Sequence, residues 1–94
     1  MTTQKDFDAV LAAKRATPEY RAAYRAAQLA HTLGVQIRAA REARGWSQTE
    51  LAARAGLRQH AVSRLEAGDV VPTLTTLERI AEALEAELSV SLAA

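Results

Sequence analysis

The sequence predicts an all-α chain: a bundle of short helices around one core, preceded by a helical extension and closed by a short strand. Three observations carry this. Ala, Leu, Glu and Arg are abundant and β-branched residues few, a composition that favours helix. Apolar residues recur at helical spacing through most of the 94 residues, and the glycines at 34, 45, 56 and 68 punctuate them. Only at the end does the period change, in ELSVSL, where Leu88, Val90 and Leu92 alternate with Ser89 and Ser91 as in a strand.

Composition sets the bounds. Ninety-four residues make one small domain, or a smaller one with an appendage. With no cysteine there is no disulfide framework and no Cys-based metal site, and His31 and His60 lie too far apart to suggest a metal centre of their own. The opening MTTQKDFDAV has no apolar run like that of a signal peptide, and no stretch reaches the roughly 20 apolar residues of a membrane span. A soluble, cytoplasmic protein is the expectation. Net charge is only +1, but it is unevenly spread: residues 1–32 carry five Lys/Arg against three Asp/Glu, residues 33–72 six against four, and residues 73–94 one against four. The first three quarters can therefore offer a basic face to phosphates.

Taken in order, Asp6 is placed to cap a short helix whose Phe7, Val10 and Leu11 share one face. Thr17 followed by Pro18 interrupts it and starts a second helix, which runs to Arg44 with Gly34 as its weak point and Gly45 as its stop. Ser47 reads as the next N-cap, with Glu50 completing a capping box, and the helix it opens is short, about Gln48 to Ala55. A further helix follows at about Gln59 to Ala67, then one carrying Leu74, Leu77, Ile80, Ala81 and Leu84.

The spacing across Gly56 carries the functional reading. Counted from Gln48, Leu51, Ala52, Ala55, Leu57, Val62 and Leu65 fill the inward places of two helices that cross steeply through a short turn. Ala52 supplies the small side chain where they touch, and Gly56 the tolerance for a left-handed backbone. This is a helix-turn-helix. Its second helix turns Gln59, His60, Ser63 and Arg64 outward, side chains able to meet base edges or phosphates. Gln59, His60 and Arg64 are expected at base edges, with Gln48 and Arg58 holding phosphates.

The run WSQTELAARAGLRQHAVSRLEAGDVVPTLTTLERIAEAL resembles the XRE/Cro-type helix-turn-helix domain of phage repressors and bacterial regulators over about residues 33–86. The resemblance implies a lambda-repressor-like bundle of about five helices, and a structural ion pair between Arg41 and Glu66. The departure is Arg58, which stands where most members carry Ser or Thr, so the recognition helix lacks its usual N-cap oxygen. The preceding stretch FDAVLAAKRATPEYRAAYRAAQLAHTLGVQIR is similar to that of HigA-like antitoxins of type II toxin–antitoxin systems. That resemblance implies two partners, the chain's own operator and a protein toxin, commonly a small ribonuclease. A stand-alone repressor that binds only DNA is the alternative.

The organisation expected is therefore an N-terminal extension over residues 1–32 that binds a partner, a DNA-binding domain over 33–86, and a dimerisation strand over 87–94. Phe7, Val10, Leu11, Tyr20 and Tyr24 are the candidate partner contacts. On a helix continuous through Gly34, Tyr24 would sit about 180° from Leu33 and face away from the domain. Leu88, Val90 and Leu92 are the candidate dimer contacts, because a lone strand needs a partner and a twofold dimer suits a palindromic operator. No cofactor is expected. Nor is enzyme activity: Ser63 and His60 lack a third orienting group, and no phosphate loop is present.

Overall fold

Pro18 divides the N-terminal third of the chain into two helices, and every later helix begins at a residue whose backbone is extended just before it. The computed structural model describes residues 3–94. Helix α1 (Gln4–Arg15) is capped by Thr3, not Asp6: the Thr3 hydroxyl accepts from the Asp6 amide at 3.1 Å, and the Asp6 carboxylate accepts from the Thr3 amide at 3.2 Å. Asp6 thus occupies the third helical position of a capping box. No residue of α1 is buried.

Helix α2 (Pro18–Ala43) starts where Thr17 accepts from the Tyr20 amide at 3.2 Å, with Pro18 in the first position, where its missing N–H costs nothing. Its 26 residues run without interruption through Gly34. A glycine in mid-helix costs roughly 1 kcal/mol relative to alanine. Here it permits a close crossing, since a β carbon on Gly34 would stand 2.5 Å from the Leu65 carbonyl oxygen and 2.7 Å from that of Glu66. One turn earlier, the backbone of His31 lies against Gly68 in the same crossing.

Helices α3 (Gln48–Ala55), α4 (Gln59–Ala67) and α5 (Leu74–Ala83) complete the domain. Ser47 accepts from the Glu50 amide at 3.0 Å, but the reciprocal half of the expected capping box is replaced: the Glu50 carboxylate receives Arg54 Nε at 2.8 Å. Thr73 caps α5 through the Thr76 amide. The core draws Ile37 from α2, Leu51, Ala52 and Ala55 from α3, Val62 and Leu65 from α4, and Ile80 and Leu84 from the end of the chain's last helix. Leu51 and Val62 are completely enclosed, each a contribution of about 1.5–3 kcal/mol from burial. Among the described residues there are five helices, and since α1 belongs to the extension, four of them, α2 to α5, contribute to the core. The molecule measures 54 × 33 × 20 Å, elongated because α1 and the first half of α2 project beyond the core.

Helix α5 ends at Ala83 with Leu84 as its C-cap, after which Glu85 takes a left-handed backbone (φ +52°) and the Ala86 amide closes onto the Ala81 carbonyl at 2.8 Å. The strand expected over 87–94 does not form: the tail carries no regular secondary structure and belongs to no sheet. Alternating side chains suit a pleated ribbon only where a second strand accepts the backbone bonds, and the described chain offers none. Leu88, half-buried, instead forms part of the wall of an apolar groove of about 460 Å³ with Leu29, Leu33, Leu74 and Leu77, while Val90 is 70% and Leu92 98% exposed. Among the described residues no helix is long and apolar enough to cross a membrane.

Candidate nucleic-acid interface

The turn between α3 and α4 is built by Gly56 in the left-handed region (φ +69°) and by the Leu57 amide, which donates to the Ala52 carbonyl at 2.9 Å. The half-buried Leu57 packs against the core, and the completely buried Val62 fixes which side of α4 faces inward. Gln59, His60 and Arg64 are therefore exposed on the opposite side, and Ser63 is half-exposed between them. Helix α4 begins at Arg58 with no side-chain cap bond, so its first amides have no hydroxyl or carboxylate acceptor from the N-cap residue.

Beneath this face runs a hydrogen-bonded chain of four side chains. Arg41 presents a fork to Glu66, with Nε 2.7 Å from Oε2 and the second terminal nitrogen 2.9 Å from Oε1, while its remaining nitrogen donates to the Trp46 carbonyl at 2.7 Å. The two side chains are only 11% and 3% exposed. Hydrogen bonding to Glu66 raises the Arg41 pKa above its already high value, against the opposing effect of desolvation, so this guanidinium stays charged. Glu66 can only accept, which makes the nearby Gln48 amide donate, Nε2 to Oε1 at 3.3 Å. Gln48 then has its oxygen free for Gln59, whose Nε2 donates to it at 2.9 Å. Gln59, exposed on this face, keeps its own oxygen and one amide hydrogen beyond this bond, a donor and acceptor of the kind that match N7 and N6 of adenine in a major groove.

Other basic residues of this half are already engaged. Arg38 pairs with Glu42 and Arg54 with Glu50, each at 2.8 Å on the surface. The Arg38 hydrogen bond holds the Glu42 carboxyl below its usual range. Arg44 bonds the carbonyls of Ala40 and Leu84, and its guanidinium lies 5.6 Å from the Trp46 ring centroid, with that of Arg54 at 4.2 Å. Trp46 is thus both an acceptor for Arg41 and a platform for two arginines. The one signal of this role in the sequence is its position just after the Gly45 helix stop.

The structure also places the remaining candidate residues. Tyr20 and Tyr24 share one cleft on the extension, whereas Phe7 and Val10 are half-exposed on α1 and Leu11 is partly covered. Leu88 and Val90 line the apolar groove, and Leu92 lies beyond it.

Comparison with known proteins agrees with this geometry. A family described as helix-turn-helix matches residues 37–90, more than half of the chain. A protein of Sinorhizobium fredii (strain NBRC 101917 / NGR234), named as an uncharacterized HTH-type transcriptional regulator y4dL, is 49% identical over 53 residues, 56% of this chain and 27% of that protein. The chain therefore spans little more than a quarter of that relative's length. No solved structure matches it. With the crossing at Gly56, the outward face of α4 and the family match in agreement, the chain belongs to the XRE-type helix-turn-helix family.

Proposed function

We propose that the chain binds an operator of its own operon through α3 and α4 and neutralises a protein toxin through its N-terminal extension. The observation that carries the DNA half is the chain Arg41, Glu66, Gln48, Gln59, which pre-orients one outward amide for base readout. In this reading Gln59, His60 and Arg64 meet base edges and Ser63 supports them, while Arg58 and the α3 terminus at Gln48 hold phosphates. Two copies bind a palindromic site, with Leu88, Val90 and Leu92 near the contact between them.

The extension supports the second half. Phe7, Val10, Tyr20 and Tyr24 remain exposed on α1 and the first half of α2, which add little to the core, and surplus apolar and aromatic surface of this kind serves recognition. A regulator that binds DNA alone is the other reading, favoured by the S. fredii relative, whose name says only transcriptional regulator.

The test is titration of the DNA upstream of the chain's own reading frame, together with co-expression of the neighbouring reading frame. Gln59→Ala should cost about 1–3 kcal/mol on that DNA and little on random duplex. Equal losses on both would remove Gln59 from base readout. The neighbouring product should copurify with the full chain and stop doing so with Phe7→Asp/Tyr24→Asp; a product that never associates would leave the DNA-only regulator.

A further inference from the structure

We propose that the cleft walled by Arg15, Tyr20, Arg21, Tyr24 and Arg25, where α1 gives way to α2, is the docking site for an acidic, partly apolar polypeptide segment. This rests on the reading of the extension as the partner-binding part of the chain and adds the chemistry of what it binds. The cleft encloses about 520 Å³ and joins three guanidinium groups to two phenol rings.

Charge is the first argument. Among the described residues the four close ion pairs use Arg38, Arg41 and Arg54, and none involves Arg15, Arg21 or Arg25. Three solvated guanidiniums gathered at one cleft repel one another, and an incoming carboxylate relieves that repulsion with a bidentate geometry that arginine is shaped to give. The two tyrosines, 41% and 56% exposed, supply broad rigid surface that loses little side-chain entropy on contact.

Position separates this cleft from the DNA face. Arg21 and Arg41 are twenty residues apart on one unbroken helix, which at 1.5 Å per residue is about 30 Å. A duplex seated on Gln59 and Arg58 lies at the other end of α2. Composition favours polypeptide over a second nucleic acid: a base can stack on an exposed ring, but the same extension also exposes the aliphatic Val10, which a nucleic acid complements poorly, whereas a segment mixing Asp or Glu with Leu or Val matches both the guanidiniums and the apolar surface. A toxin with a basic RNA-binding face would dock here through a different, acidic face.

The experiment uses the full chain and fluorescence anisotropy with a labelled peptide of repeating Glu-Leu-Asp-Val, against its Lys-for-acid counterpart and against oligo(dT) and oligo(A). The acidic peptide should bind, the basic one should not, and the combined variant Arg15→Gln/Arg21→Gln/Arg25→Gln should weaken the acidic peptide at least tenfold with its thermal melt unchanged. No binding of the acidic peptide, or equal binding to the variant, overturns the proposal. So does an oligonucleotide that displaces the peptide and itself loses affinity in the variant, which would make the cleft a nucleic-acid site. If the neighbouring reading-frame product still copurifies with the triple variant but not with Phe7→Asp/Tyr24→Asp, the partner-binding extension stands and the cleft proposal falls. If that product never binds the native chain while the peptide does, the toxin reading fails and the cleft stands.

Discussion

Gly34 sits directly beneath the Leu65 carbonyl, so close that a β carbon would approach the oxygen to 2.5 Å. The obstacle is backbone at the last turn of α4, and the next carbonyl, that of Glu66, is only 0.2 Å further from the same point, at 2.7 Å. Neither can rotate away as a side chain would. The α2–α4 crossing therefore fixes where the Glu66 carboxylate meets Arg41, and through Gln48 where Gln59 points.

Gly34→Ala should accordingly destabilise the domain. Alanine improves helix propensity by roughly 1 kcal/mol at an exposed site, but forcing a methyl group into a packed crossing typically costs about 1–3 kcal/mol and more where backbone must shift. The clash wins. A thermal melt should show a lower Tm together with weaker operator binding; a raised Tm would mean that α4 moves away freely.

The Arg41–Glu66 pair should dominate the electrostatics of folding. Removing one partner of a buried, hydrogen-bonded pair leaves the other without compensation, at about 3–5 kcal/mol, so Arg41→Ala should bring the domain close to unfolding. Arg38→Ala breaks a surface pair with Glu42 and should scarcely move the melt. The lowered Glu42 pKa means its small contribution is present at neutral pH and fades as pH falls through the carboxylate range toward that lowered value. Equal effects of the two substitutions in denaturant titration would put Arg41 on the surface in solution.

Much of the domain was legible because its signals are local. Ser47, Gly56 and Gly68 sit at the ends of the helices they bound, so α3 and α4 could be read within a few residues of sequence. Gly34 was legible only as a weak point: what it accommodates lies more than thirty residues away, and no local pattern distinguishes a helix-breaking glycine from one that admits a neighbouring backbone. The tail misled for the same reason. The alternation of Leu88, Val90 and Leu92 is a property of the segment, whereas a strand is a property of a pair. At the start of α1, Thr3 and Asp6 are both good capping residues three apart, and the reciprocal bonds decided between them. In the candidate site, the exposed positions of α4 followed from the apolar stripe, but the Gln48–Gln59 bond did not, since it depends on Glu66 being held as an acceptor by Arg41.

Glu85 takes a backbone that glycine usually supplies at a helix end. A left-handed conformation costs a side-chain-bearing residue on the order of 1 kcal/mol, and here it is held by the Ala86 to Ala81 bond and by the buried Leu84 before it. Glu85→Gly should raise stability by up to about 1 kcal/mol, less the loss from a more flexible unfolded chain, without altering operator specificity. A clear fall in Tm would show that the Glu85 side chain contributes more than its conformation costs.

Arg58 is where stability and DNA binding should separate. As the N-cap of α4 it leaves the first amides without a side-chain acceptor, and Ser at this position would supply one, a change worth about 0.5–2 kcal/mol in other helices. The same substitution removes an exposed guanidinium at the N-terminus of the recognition helix, where backbone amides and the helix dipole already attract phosphate. If Arg58 neutralises one phosphate, Arg58→Ser should weaken operator and random DNA by similar factors and reduce the slope of log affinity against log salt by about one. The expected outcome is therefore a protein that melts higher and binds DNA less tightly, with its sequence preference intact. Thermal melts and salt-dependent titrations on two duplexes give both quantities. A loss confined to the operator would move Arg58 from phosphate to base contact, and an unchanged salt slope would remove it from the interface.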